Sequence, residues 1–303
     1  MCAGSPRLRP RPPRRNRRPP EMLRTRVLTA AIGIPLMLAA IFAPGGVLFA
    51  FALSLLALIA SLEYRRAYSQ ADWFPKPRPN LILLLAGAGM PFLFWAFPSL
   101  TLAAYLLPPL AAALLMELVR AWRTGSSSIA PNIGYGILGT LYIGWFFSFG
   151  VLLRSDVTLA SLGRWQVEHG ALWTLWLFAM LWLGDSGAYF VGKSIGKHKI
   201  APLLSPAKTL EGFMANLILC VLVGWQGGER LGLPTGWAIL AGVGVGILGQ
   251  LGDLFESALK RSIGVKDFGG ILPGHGGVLD RFDSFLFSAP WIWWVVQVAG
   301  QGR

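Results

Sequence analysis

The stretch VLTAAIGIPLMLAAIFAPGGVLFAFALSLLALIAS, residues 27–61, carries no charged side chain and is interrupted only around Pro44-Gly45-Gly46. A helix that crosses a bilayer needs about 20 mostly apolar residues, within a range of about 17–25. The two halves, 27–43 and 45–61, each reach the lower limit. In lipid every backbone N–H and C=O must be satisfied within its own segment, so runs of this length are expected to be helices. The same pattern recurs near 80–97, 100–117, 133–153, 170–190, 213–226, 236–252 and 284–299. Of these nine runs the seventh is short and the eighth is rich in glycine. Pro35, Pro91, Pro108 and Pro109 fall inside runs, where neighbouring helices can re-satisfy the backbone groups they free. Trp95, Trp145, Trp237 and Trp291 fall near run ends, as interfacial anchors do. The expected architecture is an all-α, polytopic integral membrane protein of about nine transmembrane helices.

Composition agrees. The chain is 54% hydrophobic and 14% charged, against a usual ~25% charged, so a disordered chain is excluded and an ordinary soluble enzyme is a poor fit. Two cysteines, Cys2 and Cys220, exclude a disulfide-stapled fold. His169, His198 and His275 are too widely spaced to read as a zinc site. The net charge of +13 is concentrated at the front, where residues 1–26 hold nine arginines against Glu21 alone. Residues 1–21 read as a disordered Arg/Pro-rich extension and 22–303 as a single membrane-embedded domain, with Met22 as an alternative start. The extension is either dispensable or a contact for anionic lipid or nucleic acid. Ile41 and Pro44 around Ala43 make a poor cleavage junction, so the first run reads as a retained span.

With the N-terminus placed in the cytoplasm, 23 of the 27 Lys+Arg fall on the cytoplasmic side. Arg154, Arg164, Arg230 and Arg303 fall on the other. This is the bias the positive-inside rule predicts for an odd number of spans. The charge therefore reads as topology plus a site for phosphate-rich substrates, and not as nucleic-acid binding.

Two segments, 191–212 and 253–283, are more polar than anchoring requires. The second sets Asp253, Glu256, Asp267, Asp280 and Asp283 among Lys260, Arg261, Lys266, Arg281 and His275. Gly269, Gly270, Gly274, Gly276 and Gly277 surround Pro273 there, and such a loop lets backbone N–H groups approach phosphate oxygens closely. If 278–284 opens the last helix, Asp280 and Asp283 share one face. Carboxylates so placed near membrane depth repel unless a cation sits between them. Mg²⁺ takes oxygen ligands, commonly one or two carboxylates plus substrate phosphates. Asp253, Asp280 and Asp283 are thus the expected metal ligands, with room for a second cation, the alternative for Asp280 being a pair with Arg281 or a neighbouring lysine. Glu256 and Lys260 read as an ordinary i,i+4 ion pair. In 184–213, Asp185 ends an apolar run, which by default marks a functional site. Lys193, Lys197, His198, Lys199 and Lys208 follow, with Ser205-Pro206. Together the lysines suit a triphosphate; singly each suits a lipid headgroup.

The run Ser257-x-Leu259-Lys260-Arg261-x4-Lys266-Asp267-x-Gly269-x2-Leu272-Pro273-x-His275-Gly276-Gly277-Val278-x-Asp280-Arg281-Phe282-Asp283 resembles the signature of the phosphatidate cytidylyltransferases, or CDP-diacylglycerol synthases. Gly184-Asp185, Lys197-His198-Lys199, Ser205-Pro206, Lys208-Thr209 and Glu211-Gly212 are also similar to that family, and the likeness covers roughly 22–300. Ala207 and Leu210 depart from it, standing where lysine and tryptophan are expected. The resemblance implies that CTP and phosphatidate give CDP-diacylglycerol and pyrophosphate, with Mg²⁺, at the cytoplasmic face of a bacterial-type inner membrane. It implies catalytic roles for Asp253, Asp280, Asp283 and Lys260. It implies substrate contacts from Asp185, Lys193, Lys197, Lys199, Ser205, Lys208, Ser257, Arg261, Lys266, His275, Gly276, Gly277 and Arg281. Gly242, Gly244, Gly246 and Gly249 would allow close helix packing, within the chain or in a homodimer. A transporter would instead carry polar features at the bilayer midplane, in matching halves. A CTP-dependent lipid kinase would release CDP, and a scaffold would leave the aspartates without a use.

Overall fold

The structure is a computed structural model that describes residues 21–71, 78–125, 128–271 and 276–300, with side chains from Ala31 onward except that of Leu162. The expected disordered extension, apart from Glu21, and His275 lie outside the described residues.

Helices α1 (Glu21–Phe42), α2 (Val47–Ser69), α3 (Leu81–Ala96) and α4 (Leu102–Thr124) come first. Then α5 (Ile129–Gly139) continues through a π-helical stretch, Thr140–Trp145, into α6 (Phe146–Arg154), forming one rod. A hairpin of β1 (Leu159–Leu162) and β2 (Trp165–Glu168) leads to α7 (His169–Ile195). A second hairpin, β3 (Lys199–Ala201) and β4 (Ser205–Thr209), leads to α8 (Leu210–Arg230), α9 (Thr235–Ser262) and α10 (Leu279–Gly300). Nine rods therefore stand, among the described residues, where nine spans are expected. Six are long and apolar enough to cross a membrane, while Ala31–Phe42 and Leu81–Ala96 are shorter apolar helices. The remaining rod, α10, begins with Asp280, Arg281 and Asp283.

Helix α7 runs on to Ile195 and α9 to Ser262, so both polar segments begin as continuations of membrane helices, in keeping with the i,i+4 spacing of Glu256 and Lys260. The seventh span is full length, because Thr209 Oγ1 accepts the Gly212 N–H at 3.2 Å and starts α8 well before the apolar run.

The glycines of α9 are used inside the chain. A Cβ on Gly224 of α8 would lie 2.7 Å from Gly242 Cα, and one on Gly246 would lie 2.9 Å from Leu217. This brings α8 and α9 backbone to backbone, the packing that small residues allow in lipid. Across the bundle, Phe178 of α7 stacks on Phe285 of α10 with centroids 5.2 Å apart.

Arg154, one of the four basic residues counted to the far side, is buried at 1% exposure. Its Nε donates to Ile41 O at 2.6 Å, and one terminal nitrogen donates to Ala43 O at 2.8 Å while pairing with Glu168 at 2.6 Å. Burial opposes ionisation of Glu168, but the Gly45 N–H and Arg154 outweigh it and hold the carboxyl below its usual range. Gly46, at φ +70°, lets the α1–α2 turn lie against the arginine. The cluster pins that turn to the end of α6. Arg154→Met should therefore cost about 3 kcal/mol, since breaking a buried pair leaves the Glu168 carboxylate without its cation and the Ile41 and Ala43 carbonyls without this donor. Thermal unfolding of the purified protein in detergent measures this; an unchanged midpoint would show that the cluster holds nothing.

Candidate active site

The α7–α8 hairpin and the first turn of α10 meet over the end of α9. Between them lies a cavity of about 740 Å³. Asp185 and Lys193 enter it from α7, Lys199 and Lys208 from the hairpin, Gln250 and Asp253 from α9, and Asp280, Arg281 and Asp283 from α10.

The hairpin is docked by small residues and one ion pair. A Cβ on Gly212 would lie 2.8 Å from Ala188 O, and one on Gly192 would lie 3.1 Å from Thr209 Oγ1, so α7, β4 and α8 approach closely only without side chains there. His198 Nδ1 lies 2.7 Å from Glu211, and the Leu210 N–H donates to His198 O at 2.8 Å. This docking points Lys208 inward. Its Nζ lies 2.9 Å from Asp253 and donates to Gln250 Oε1 at 3.0 Å. Ser257 Oγ, one turn on, donates to the other Asp253 oxygen at 3.3 Å. Asp283 Oδ1 accepts the Ser284 N–H at 2.6 Å. The charges of Asp185, Asp253 and Asp283 act on one another, with Lys208 as the cation among them. An acidic centre thus faces a rim of Lys193, Lys199 and Arg281.

Asp280 borders the same cavity, yet its oxygens are already engaged. One lies 2.7 Å from Lys260 Nζ, and the other accepts the N–H groups of Phe268 at 3.2 Å and Gly277 at 3.0 Å. Lys260 also pairs with Glu256 at 2.9 Å. The expected i,i+4 pair of Glu256 and Lys260 is present, but at 1% and 9% exposure it is buried and joins Asp280 in a cluster. Lys260, expected to act on substrate, pairs in this structure with the two carboxylates of Glu256 and Asp280. All three of the expected aspartates line the cavity, with Asp185 beside them and Asp280 bonded to Lys260 and two backbone donors.

Among the other expected residues, Lys193 Nζ sits 5.5 Å over the Tyr189 ring at the cavity edge. Lys197 and Lys266 are exposed, and neither they nor Ser205 line the cavity. Arg261, also exposed, donates to Val265 O at 3.1 Å and closes the end of α9. Gly276 has φ +86°, a conformation that suits glycine, and Gly277 follows it into α10. Sequence reasoning passed over Gln250 and Glu63. Gln250 is a lone polar residue in an apolar run, the signal that did single out Asp185, whereas Glu63 stands beside Arg65 and Arg66 past the end of its run and carries no such signal.

Among the described residues, no three acids or histidines form a ready metal cage. The donors at the centre are nevertheless all carboxylate oxygens. Asp253 and Asp283 suit Mg²⁺, which needs only one or two carboxylates when substrate phosphates complete its shell.

A second cavity, of about 570 Å³, opens between α1, α2, α7 and α10. Its lining is apolar, including Met37, Leu56, Phe178 and Trp182, and it shares Asp185, Arg281, Asp283 and Ser284 with the first. A charged chamber and an apolar one therefore meet at Arg281 and Asp283.

A bundle of this kind with a polyphosphate-suited chamber at one end describes a membrane-embedded transferase, and comparison with known proteins agrees. Residues 24–299 match the Cytidylyltransferase family, and the chain belongs to it. It is 34% identical over 283 residues to the phosphatidate cytidylyltransferase of Staphylococcus haemolyticus (strain JCSC1435), covering 88% of this chain and 96% of that one. It is 40% identical over 167 residues to the phosphatidate cytidylyltransferase of Bacillus subtilis (strain 168), covering 54% of this chain and 58% of the relative. With the enzyme of that name from Staphylococcus aureus (strain COL), identity is 41% over 161 residues, or 52% and 57%. In these last two the chain spans little more than half the relative's length.

Proposed function

We propose that this chain transfers a cytidylyl group from CTP to phosphatidate, giving CDP-diacylglycerol and pyrophosphate. The observation that carries the reading is the meeting of the two chambers at Arg281 and Asp283, which matches a substrate pair in which one member is a polyphosphate and the other a phosphate on two acyl chains. A phosphatidate oxygen attacks the α-phosphorus of CTP; the bond to the β-phosphate breaks and its electron pair leaves with pyrophosphate. The attacking oxygen is already anionic, so no base is required. Charge neutralisation and in-line positioning remain to be supplied. Lys193, Lys199 and Lys208 neutralise the triphosphate, Arg281 holds the phosphatidate phosphate at the seam, and the apolar chamber takes the acyl chains. A bound Mg²⁺ would be held by Asp253 and Asp283 and would supply charge stabilisation at the transferred phosphate. The positive-inside bias supports a cytoplasmic chamber and N-terminus, in the inner membrane where CTP is at hand.

Purified protein incubated with radiolabelled CTP and phosphatidate should form CDP-lipid and pyrophosphate when Mg²⁺ is present. CDP with a phosphorylated lipid would instead identify a kinase. Absence of CDP-lipid with every divalent metal tried would overturn the proposal.

A further inference from the structure

Glu63, near the end of α2, belongs to neither chamber. It is 4% exposed, and its Oε2 accepts the Val278 N–H at 2.8 Å, joining residues 215 apart in sequence. The other end of the glycine loop reaches the same carboxylate. A Cβ on Gly269 would overlap Glu63 Oε1 and Cδ, and one on Gly277 would lie 2.7 Å from Glu63 Oε2 and 2.8 Å from Asp280. Neither glycine has a positive φ, so the requirement at both is room for the carboxylate and not backbone freedom. Asp280 takes the nearby donors, the N–H groups of Phe268 and Gly277. Two carboxylates from different helices thus hold both ends of the loop, 268–269 on one side and 277–278 on the other. A buried carboxylate is costly unless it accepts hydrogen bonds, and a membrane bundle could fill this position with an apolar side chain. Its presence calls for a local use.

We infer that Glu63 is a positioning residue for the transfer reaction: through Val278 it sets the start of α10, and so the placement of Arg281 and Asp283 where the chambers meet. The inference rests on the proposed cytidylyl transfer. Val278 immediately precedes α10, and Arg281 and Asp283 lie within the next five residues. A displacement of about 1 Å at reacting groups can cost about 10²-fold in rate.

The test is turnover of purified wild type, Glu63→Ala, Glu63→Gln, Gly269→Ala and the Glu63→Ala/Gly269→Ala double variant, with CTP and phosphatidate, beside thermal unfolding of each. Glu63→Ala should lower kcat about 10- to 100-fold per folded molecule. Glu63→Gln, which keeps an acceptor for Val278, should recover most of that. Gly269→Ala should be impaired alone, yet add little in the Glu63→Ala background, because the group it strikes is gone. Wild-type kcat in Glu63→Ala would overturn the inference. So would a loss that only follows the folded fraction, or full additivity of the two substitutions. Where Glu63→Ala fails to fold, Glu63→Gln and Gly269→Ala decide: normal kcat in both overturns it, and a lowered kcat in Gly269→Ala supports it. Failure of wild type to form CDP-lipid counts against the reaction itself, and is separate from equal activity of wild type and variants.

Discussion

Asp283→Asn is expected to remove nearly all cytidylyl transfer while leaving the protein folded. The side chain faces the acidic centre with Asp185 and Asp253, and the three carboxylates raise one another's electrostatic cost. Replacing one by a neutral amide relieves that repulsion, and asparagine keeps the oxygen that accepts the Ser284 N–H. Folding stability should hold or rise. Turnover should fall by about 10²–10³-fold, the size of loss seen when one preorganised electrostatic contact to a transition state is removed. Activity lost without stability lost is what separates a site built for a ligand from one built for the fold. Asp280→Asn should show the reverse balance, because Asp280 is the partner of Lys260 and of two backbone donors. Near-normal turnover in Asp283→Asn would remove the acidic centre from the mechanism.

The contrast between these neighbouring aspartates shows where sequence reasoning reaches and where it stops. The spans were legible because lipid leaves an apolar run of some twenty residues one structural solution, and the glycine loop and acids were legible because their chemistry is unusual beside a membrane. Spacing of three placed Asp280 and Asp283 on one helix face, and both do border the cavity. Which would stay open to a ligand was decided by Lys260, twenty residues upstream on another helix. Sequence offers a lysine or Arg281 as the partner of Asp280, but spacing does not choose among them. The burial of Arg154 was illegible for the same reason, since the carbonyls and carboxylate that bury it come from α1, the α1–α2 turn and β2. Charges also continue helices past their apolar runs, at Lys193 of α7 and at Lys260 of α9.

Lys260→Met is the second large effect, expected in stability. The lysine lies between Glu256 and Asp280 with its side chain 11% exposed. Removing it leaves two carboxylates facing each other with no cation, Glu256 almost wholly out of water. Breaking a buried ion cluster from one side costs about 3–5 kcal/mol, because the remaining charge keeps its desolvation penalty and loses its compensation. For a chain of this size that is on the order of a 10 °C fall in unfolding midpoint, measurable by thermal scanning in detergent. The Glu256→Gln/Lys260→Met pair should regain much of the loss by taking one of the stranded charges away. Specific activity of the protein that does fold should fall far less than in Asp283→Asn, since the ammonium does not face the cavity. If Lys260→Met unfolds at the wild-type temperature yet fails to turn over, the lysine reaches substrate and the buried cluster is not its working position.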